Sequence, residues 1–83
     1  MMPESVRIDH EFITLGQFLK MTDAIESGGQ AKMFLQQTNV LVDGEREFRR
    51  GRKLYKGMVV QVGAADDISS MPRARTYIIF SEG

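Results

Sequence analysis

The chain has 83 residues, of which 42% are hydrophobic and 27% charged; its 11 basic side chains balance 11 acidic ones, and it has no cysteine. This size predicts one small globular domain, and the missing thiols exclude disulfides, thiolate zinc sites and cysteine nucleophiles. No signal-peptide pattern is visible and no apolar run approaches the ~20 residues of a membrane helix, so we expect a cytoplasmic protein without a membrane anchor.

Two short helices are predicted by capping boxes, in which a hydroxyl residue and a glutamine three positions later satisfy each other's free amides. A short strand around residues 6–8 precedes them. Thr14 and Gln17 form the first box, and Ser27 and Gln30 form the second. The second helix is expected to end near residue 37. Apolar residues at helical spacing define the buried faces: Leu15, Phe18 and Leu19, then Ala31, Phe34 and Leu35.

A β-hairpin is predicted where residues 40–42 alternate into Asp43-Gly44, because this dipeptide tolerates the positive φ angles of a type I′ turn. Val40 and Val42 are expected to face the core. The returning strand is expected to span residues 45–48, with Phe48 in the core.

The later part of the chain contains two further β-prone runs, at residues 58–62 and 76–80. The small, polar residues 64–72 between them predict a loop. An unpaired run such as 76–80 would be prone to aggregation. We therefore expect it to pair with the domain's own sheet, beside residues 6–8, or with a second copy of the chain.

Positive charge is concentrated in residues 46–56, REFRRGRKLYK, which we call the basic segment. It holds six basic side chains and one acidic, a sum of +5, whereas residues 1–45 hold three and seven, a sum of −4. We expect an irregular, exposed connection that ends in a turn at Lys56-Gly57. Such a local field attracts polyanions whatever the net charge, and Tyr55 offers a ring that either stacks on bases or packs on the core.

Catalytic chemistry finds little support in the sequence. The single histidine, His10, lies between two acidic residues and is expected at the surface. Asp66 and Asp67 have no third ligand at a useful spacing, so a solvated loop is expected there. We therefore predict a non-enzymatic protein with no metal and no small-molecule cofactor.

The order of these features resembles the S4 RNA-binding domain. A capped helix leads to a second helix that opens on Ser-x-x-x-Ala-Lys, then to a Val-x-Val-Asp-Gly hairpin, a basic connection and Lys-Gly before an apolar strand. The likeness covers roughly residues 13–62 and is closest in ITLGQFLK, SGGQAK and RRGRKL. It is particularly similar to small stand-alone bacterial S4 proteins of the YaaA/YbcJ-like kind. Residues 64–83 have no clear counterpart.

The resemblance implies an α+β, S4-like (αL) fold in which two short helices pack on a small, mostly antiparallel sheet. It also implies that the second helix and the basic loop form a face that binds structured RNA. Ribosomal RNA or a ribosomal particle is the first candidate partner and transfer RNA the second. By position, the resemblance implies Gln30 and Lys32 on that helix and Arg49, Arg50, Arg52 and Lys53 on the loop. With Arg46 and Lys56 of the basic segment, these are the predicted RNA-binding residues.

Two other interpretations stay open at this point. The basic segment could dock an acidic protein, while residues 76–80 add a strand to a partner or form a homodimer. The domain could also be the detached RNA-targeting arm of an enzyme whose catalytic part lies in a partner.

Overall fold

A computed structural model describes residues 4–63 and 75–81 of the chain. Within these residues there are two α-helices, one 3-10 turn and seven strands. The helical elements are α1 (Leu15–Met21), the 3-10 turn Gly28–Gln30 and α2 (Ala31–Gln37). The strands are β1 (Glu4–Arg7), β2 (Phe12–Thr14), β3 (Val40–Val42), β4 (Glu45–Arg46), β5 (Lys53–Tyr55), β6 (Val59–Val62) and β7 (Arg75–Phe80).

The strands form two sheets. Five of them lie in the order β1-β7-β6-β3-β4, and β2 pairs with β5 in a separate two-stranded sheet. Only the β1–β7 pair is parallel; the other described pairs are antiparallel. The predicted α+β class with a small, mostly antiparallel sheet is therefore confirmed.

The first capping box opens α1, and the second opens the 3-10 turn that leads into α2. The Gln17 amide donates to the Thr14 hydroxyl at 3.2 Å, and the Thr14 amide donates to the Gln17 side chain at 2.9 Å. At the second box, the Gln30 side chain accepts from the Ser27 amide at 3.1 Å. The predicted apolar faces are buried except for Phe34, which is only partly so.

The hairpin has the predicted turn but a shorter second strand. Asp43 and Gly44 have φ angles of 51° and 86°, as a type I′ turn requires. Strand β4 ends at Arg46 rather than continuing to Phe48. The expectation that Phe48 lies in the core is wrong, because its side chain is 55% exposed.

Part of the basic segment is a strand rather than an irregular connection. Residues Lys53–Tyr55 pair with β2, so that Leu54 lies opposite Ile13. Leu54 is fully buried, while its two neighbours in β5 are exposed. This alternation of buried and exposed residues is that of a strand with one face on the core.

Strand β7 pairs with the domain's own sheet beside β1, which confirms the first of the two alternatives expected from the sequence. It lies inside the five-stranded sheet, where it pairs with β1 on one side and with β6 on the other. Tyr77 contributes to the core through an edge-to-face contact with Phe18, at a ring separation of 5.0 Å. The predicted loop at residues 64–72, with Asp66 and Asp67, lies outside the described residues.

The core lies between the helices and the sheets. Its largest fully buried side chains are Phe18, Leu15, Leu19, Leu35, Leu54, Ile79, Val40 and Val60. His10 is exposed, as predicted. Among the described residues, no helix is long and apolar enough to cross a bilayer.

The position of β7 gives a matched test of stability. Ile79 is 1% exposed, whereas its neighbour Ile78 is 36% exposed. We expect Ile79→Ala to lower the free energy of unfolding by about 3 kcal/mol and Ile78→Ala by less than about 1 kcal/mol, because only the first leaves a cavity in the core. Urea denaturation of the two variants measures this difference, and equal losses would contradict the placement of β7.

Candidate nucleic-acid interface

Between β4 and β5 the basic segment forms a loop, residues 47–52, which we call the arginine loop. Glu47 lies at its start and is only 7% exposed. Its carboxylate accepts hydrogen bonds from the backbone amides of Phe48 and Arg49 at 3.1 and 3.0 Å. The same carboxylate accepts from the Arg49 guanidinium at 3.1 and 3.2 Å and from Arg52 Nη1 at 3.0 Å.

These donors keep Glu47 ionised. They lower the pKa of its carboxyl from 4.5 to about 2, with the side-chain hydrogen bond from Arg49 as the largest cause, and burial opposes them. One carboxylate therefore fixes both ends of the arginine loop. The Arg49 side chain nevertheless stays 74% exposed, so it can contact a ligand while it is held in place.

The backbone of the arginine loop also satisfies the start of α1. The Leu15 amide donates to the Arg52 carbonyl and the Gly16 amide to the Arg50 carbonyl, both at 2.8 Å. The first amides of a helix have no partner within the helix, so the loop supplies the acceptors that they need. Gly16 packs against this loop, since a Cβ atom there would be in van der Waals contact with the Arg50 carbonyl oxygen, at 3.4 Å.

This docking brings Arg50 beside the two helices. A shallow groove is lined by Arg50, Gly51, Gln17, Lys20 and Gly28, together with Thr14 and Gly16. Arg50 forms no ion pair with the described residues, and its side chain is exposed. Lys20 was not predicted as part of this face, because nothing in the sequence indicates that the arginine loop packs on the helix that carries it.

Arg46 lies at the C-terminal end of α2, away from the Arg50 groove near its start. Its guanidinium donates to the Asn39 side chain and, at 3.4 Å, to the carbonyls of Leu35 and Thr38. It also covers the ring of Phe48, with 4.6 Å between the guanidinium carbon and the ring centroid. A cation at this position interacts favourably with the negative C-terminal end of the helix dipole. Arg46 therefore stabilises the fold as well as adding surface charge.

Lys32 lies in the first turn of α2, four residues after Gly28, which lines the Arg50 groove. Lys32 is exposed at this position near the start of the helix. Gln30, in contrast, turns its side-chain oxygen back to the amides of Glu26 and Ser27.

Lys53 and Lys56 extend the charge along and beyond β5. The Lys53 ammonium lies 4.7 Å from the centroid of the Phe12 ring on the paired strand β2. Lys56 is exposed in the turn that follows β5. We call the predicted residues together the basic strip; of these, Arg46 and Gln30 make the most contacts within the fold.

The Glu47 contacts predict how stability depends on pH. Because the pKa of Glu47 in the folded protein lies below its ordinary value, its contribution is present above about pH 4.5 and is lost as pH falls towards 2. The shift corresponds to about 3 kcal/mol, which screening of the exposed Arg49 partner reduces to about 2 kcal/mol. Glu47→Gln should lower the free energy of unfolding by that amount at neutral pH and weaken its decline between pH 4.5 and 2.

The control is Glu45→Gln, which removes an exposed carboxylate two residues earlier on β4. Thermal unfolding of both variants between pH 2 and 7 measures the difference. An equal effect of the two substitutions would show that Glu47 does not hold the loop.

Two comparisons with known proteins agree with this architecture. The sequence model of the S4 domain matches residues 6–69. A protein of Bacillus subtilis (strain 168), described as "Probable ribosome maturation protein RlbA", is 57% identical over 61 residues, which cover 74% of this chain and 86% of that protein. The match extends over well more than half of the chain, and the chain therefore belongs to the S4 domain family.

Proposed function

We propose that the protein is a non-catalytic RNA-binding protein that recognises folded RNA through the basic strip. The observation that carries this proposal is the construction of the arginine loop. Its backbone is fixed by Glu47 and by the start of α1, while the side chains of Arg49 and Arg50 are exposed. A surface that is rigid before binding loses less conformational entropy when a ligand binds.

The chemistry of the strip suits an RNA backbone. Arginine offers a planar fork of donors that matches phosphate oxygens, and three arginines lie within residues 49–52. A-form RNA hides the base edges of its deep major groove, so a small basic surface reads the spacing of phosphates and 2′-hydroxyls more readily than the sequence. The proposed RNA-binding residues are Gln30, Lys32, Arg46, Arg49, Arg50, Arg52, Lys53 and Lys56, to which the structure adds Lys20 as a neighbour of Arg50.

The proposed partner is ribosomal RNA, free or within a ribosomal particle. This choice is supported by the name of the 57% identical relative, which describes a probable ribosome maturation protein. Transfer RNA is the second candidate. In this role the protein would act in the cytoplasm, during the maturation of ribosomes.

Docking of an acidic protein is the rival use of the same surface. Strand addition at β7 has less support, because β7 is already hydrogen-bonded on both sides within its own sheet and offers no free edge. An acidic protein could still bind the basic strip, and direct binding measurements distinguish it from RNA.

Arg50 offers the cleanest test of the proposed face, since its replacement breaks no ion pair with Glu47. Arg50→Glu should weaken binding to a structured ribosomal RNA fragment about tenfold, because a cation on the face becomes an anion. The slope of log affinity against log salt should also become smaller by about one, because fewer counterions are released. Fluorescence anisotropy at several salt concentrations measures both effects.

The matched control is Arg7→Glu. Arg7 lies on β1, at the opposite edge of the five-stranded sheet from β4, and its ion pair with Asp9 is exposed to solvent. We expect this equal change of net charge to alter RNA affinity less than twofold. Equal weakening by both reversals would mean that only net charge matters, and it would overturn the proposed face.

A further inference from the structure

A second groove is lined by residues of the arginine loop and by β5. It has a volume of about 510 Å³, and it is lined by Arg49, Gly51, Arg52, Lys53, Tyr55 and Met58. Three of these side chains are cations, one is an aromatic ring and one is a thioether. Contacts between the basic strip and RNA phosphates would need only the cations, not an aromatic ring and a thioether.

The aromatic wall of this groove is held in position. Tyr55 lies opposite Phe12 in the β2–β5 pair, and the two rings are 5.8 Å apart at an angle of 50°. The Tyr55 amide contacts the Met58 sulfur at 3.1 Å, which closes the turn after β5. The residue is nevertheless 40% exposed. Tyrosine has only two side-chain torsions, so a ring held in this way can bind a flat ligand with little further loss of entropy.

The neighbouring charges indicate which flat ligand fits. Arg49 and Arg52 border the groove while Glu47 holds their guanidinium groups, and Lys53 lies next along the chain. A planar group that stacks on an aromatic ring and carries a phosphate beside it is a nucleotide. Bases inside a duplex are stacked on each other and cannot enter a groove, whereas an unpaired base can.

We propose that this groove binds one unpaired nucleobase, stacked on Tyr55, with its phosphate against the arginine loop. This inference rests on the proposed RNA-binding function and deepens it. The protein then prefers an RNA helix with a bulged or terminal unpaired nucleotide over an uninterrupted helix. Tyr55 supplies this preference, and the arginine loop supplies the affinity that both kinds of RNA share.

Phe48 provides a contrast within the same segment. It is more exposed than Tyr55, at 55%, but one face of its ring is covered by the Arg46 guanidinium. It also does not line the Tyr55 groove. A substitution at Phe48 therefore removes an exposed ring of the basic segment without removing the proposed base-binding wall.

The experiment compares two labelled RNA hairpins that differ only in one bulged adenosine, with binding measured by fluorescence anisotropy. The wild-type protein should bind the bulged hairpin about tenfold more tightly, which is typical for the stacking of one base on an aromatic ring. Tyr55→Leu should abolish this preference and leave the affinity for the uninterrupted hairpin within about twofold, which also shows that the variant is folded. Tyr55→Phe and Phe48→Leu should both retain the preference.

Each contrary result has a separate meaning. If the wild-type protein binds both hairpins equally and Arg50→Glu weakens both, the proposed function stands and the base-binding groove is wrong. The groove proposal is also wrong if the preference survives Tyr55→Leu or is lost in Phe48→Leu. If neither hairpin binds at low salt, the proposed function fails and the groove proposal fails with it.

Discussion

The buried carboxylate of Glu47 is the interaction on which the basic face depends. Three arginines within residues 49–52 repel one another, and an irregular loop has no ladder of backbone bonds to hold it. The Glu47 carboxylate accepts hydrogen bonds from two guanidinium groups, which reduces the repulsion, and from two backbone amides of the loop. The Glu47 amide also donates to the Val40 carbonyl at 2.9 Å, so the backbone of the loop is held. Glu47 thus joins the loop to strand β3, and the Arg50 and Arg52 carbonyls join it to α1. Arginine side chains can then be exposed without the backbone that carries them becoming free to move.

Local signals in the sequence were sufficient for most of the fold. Some elements depend only on neighbouring residues: the two capping boxes, the Asp43-Gly44 turn and the apolar run in β7. Their positions can therefore be predicted from the sequence alone. Strand β5 was missed because charge dominates its surroundings. Its alternation is only three residues long, with Leu54 between two exposed polar or amphipathic side chains. What makes it a strand is its pairing with β2, a contact between residues some 40 positions apart.

The candidate site shows a different limit of sequence reasoning. A count of charges locates the basic segment but treats its cations as equivalent. In the fold, Arg46 closes the end of α2, Arg49 and Arg52 share one carboxylate, and Arg50 has no ion pair among the described residues. Glu47 in turn looks like a minor interruption of the positive run, although it is the residue that orders it. These assignments depend on which carbonyls and carboxylates lie nearby after folding, and no local pattern encodes that.

The parallel pairing of β1 with β7 has a consequence for how the protein is made. Strand β1 leaves a translating ribosome well before β7, which is its only partner among the described strands and lies some 70 residues later in the chain. Until β7 emerges, β1 and the free edge of β6 have nothing to pair with, and contacts across such long separations form slowly. The helices and the β3–β4 hairpin can form earlier, since their contacts are local. The nascent chain therefore acquires the scaffold of its basic face before its sheet is complete, and this interval is when the unfinished protein is most exposed to aggregation.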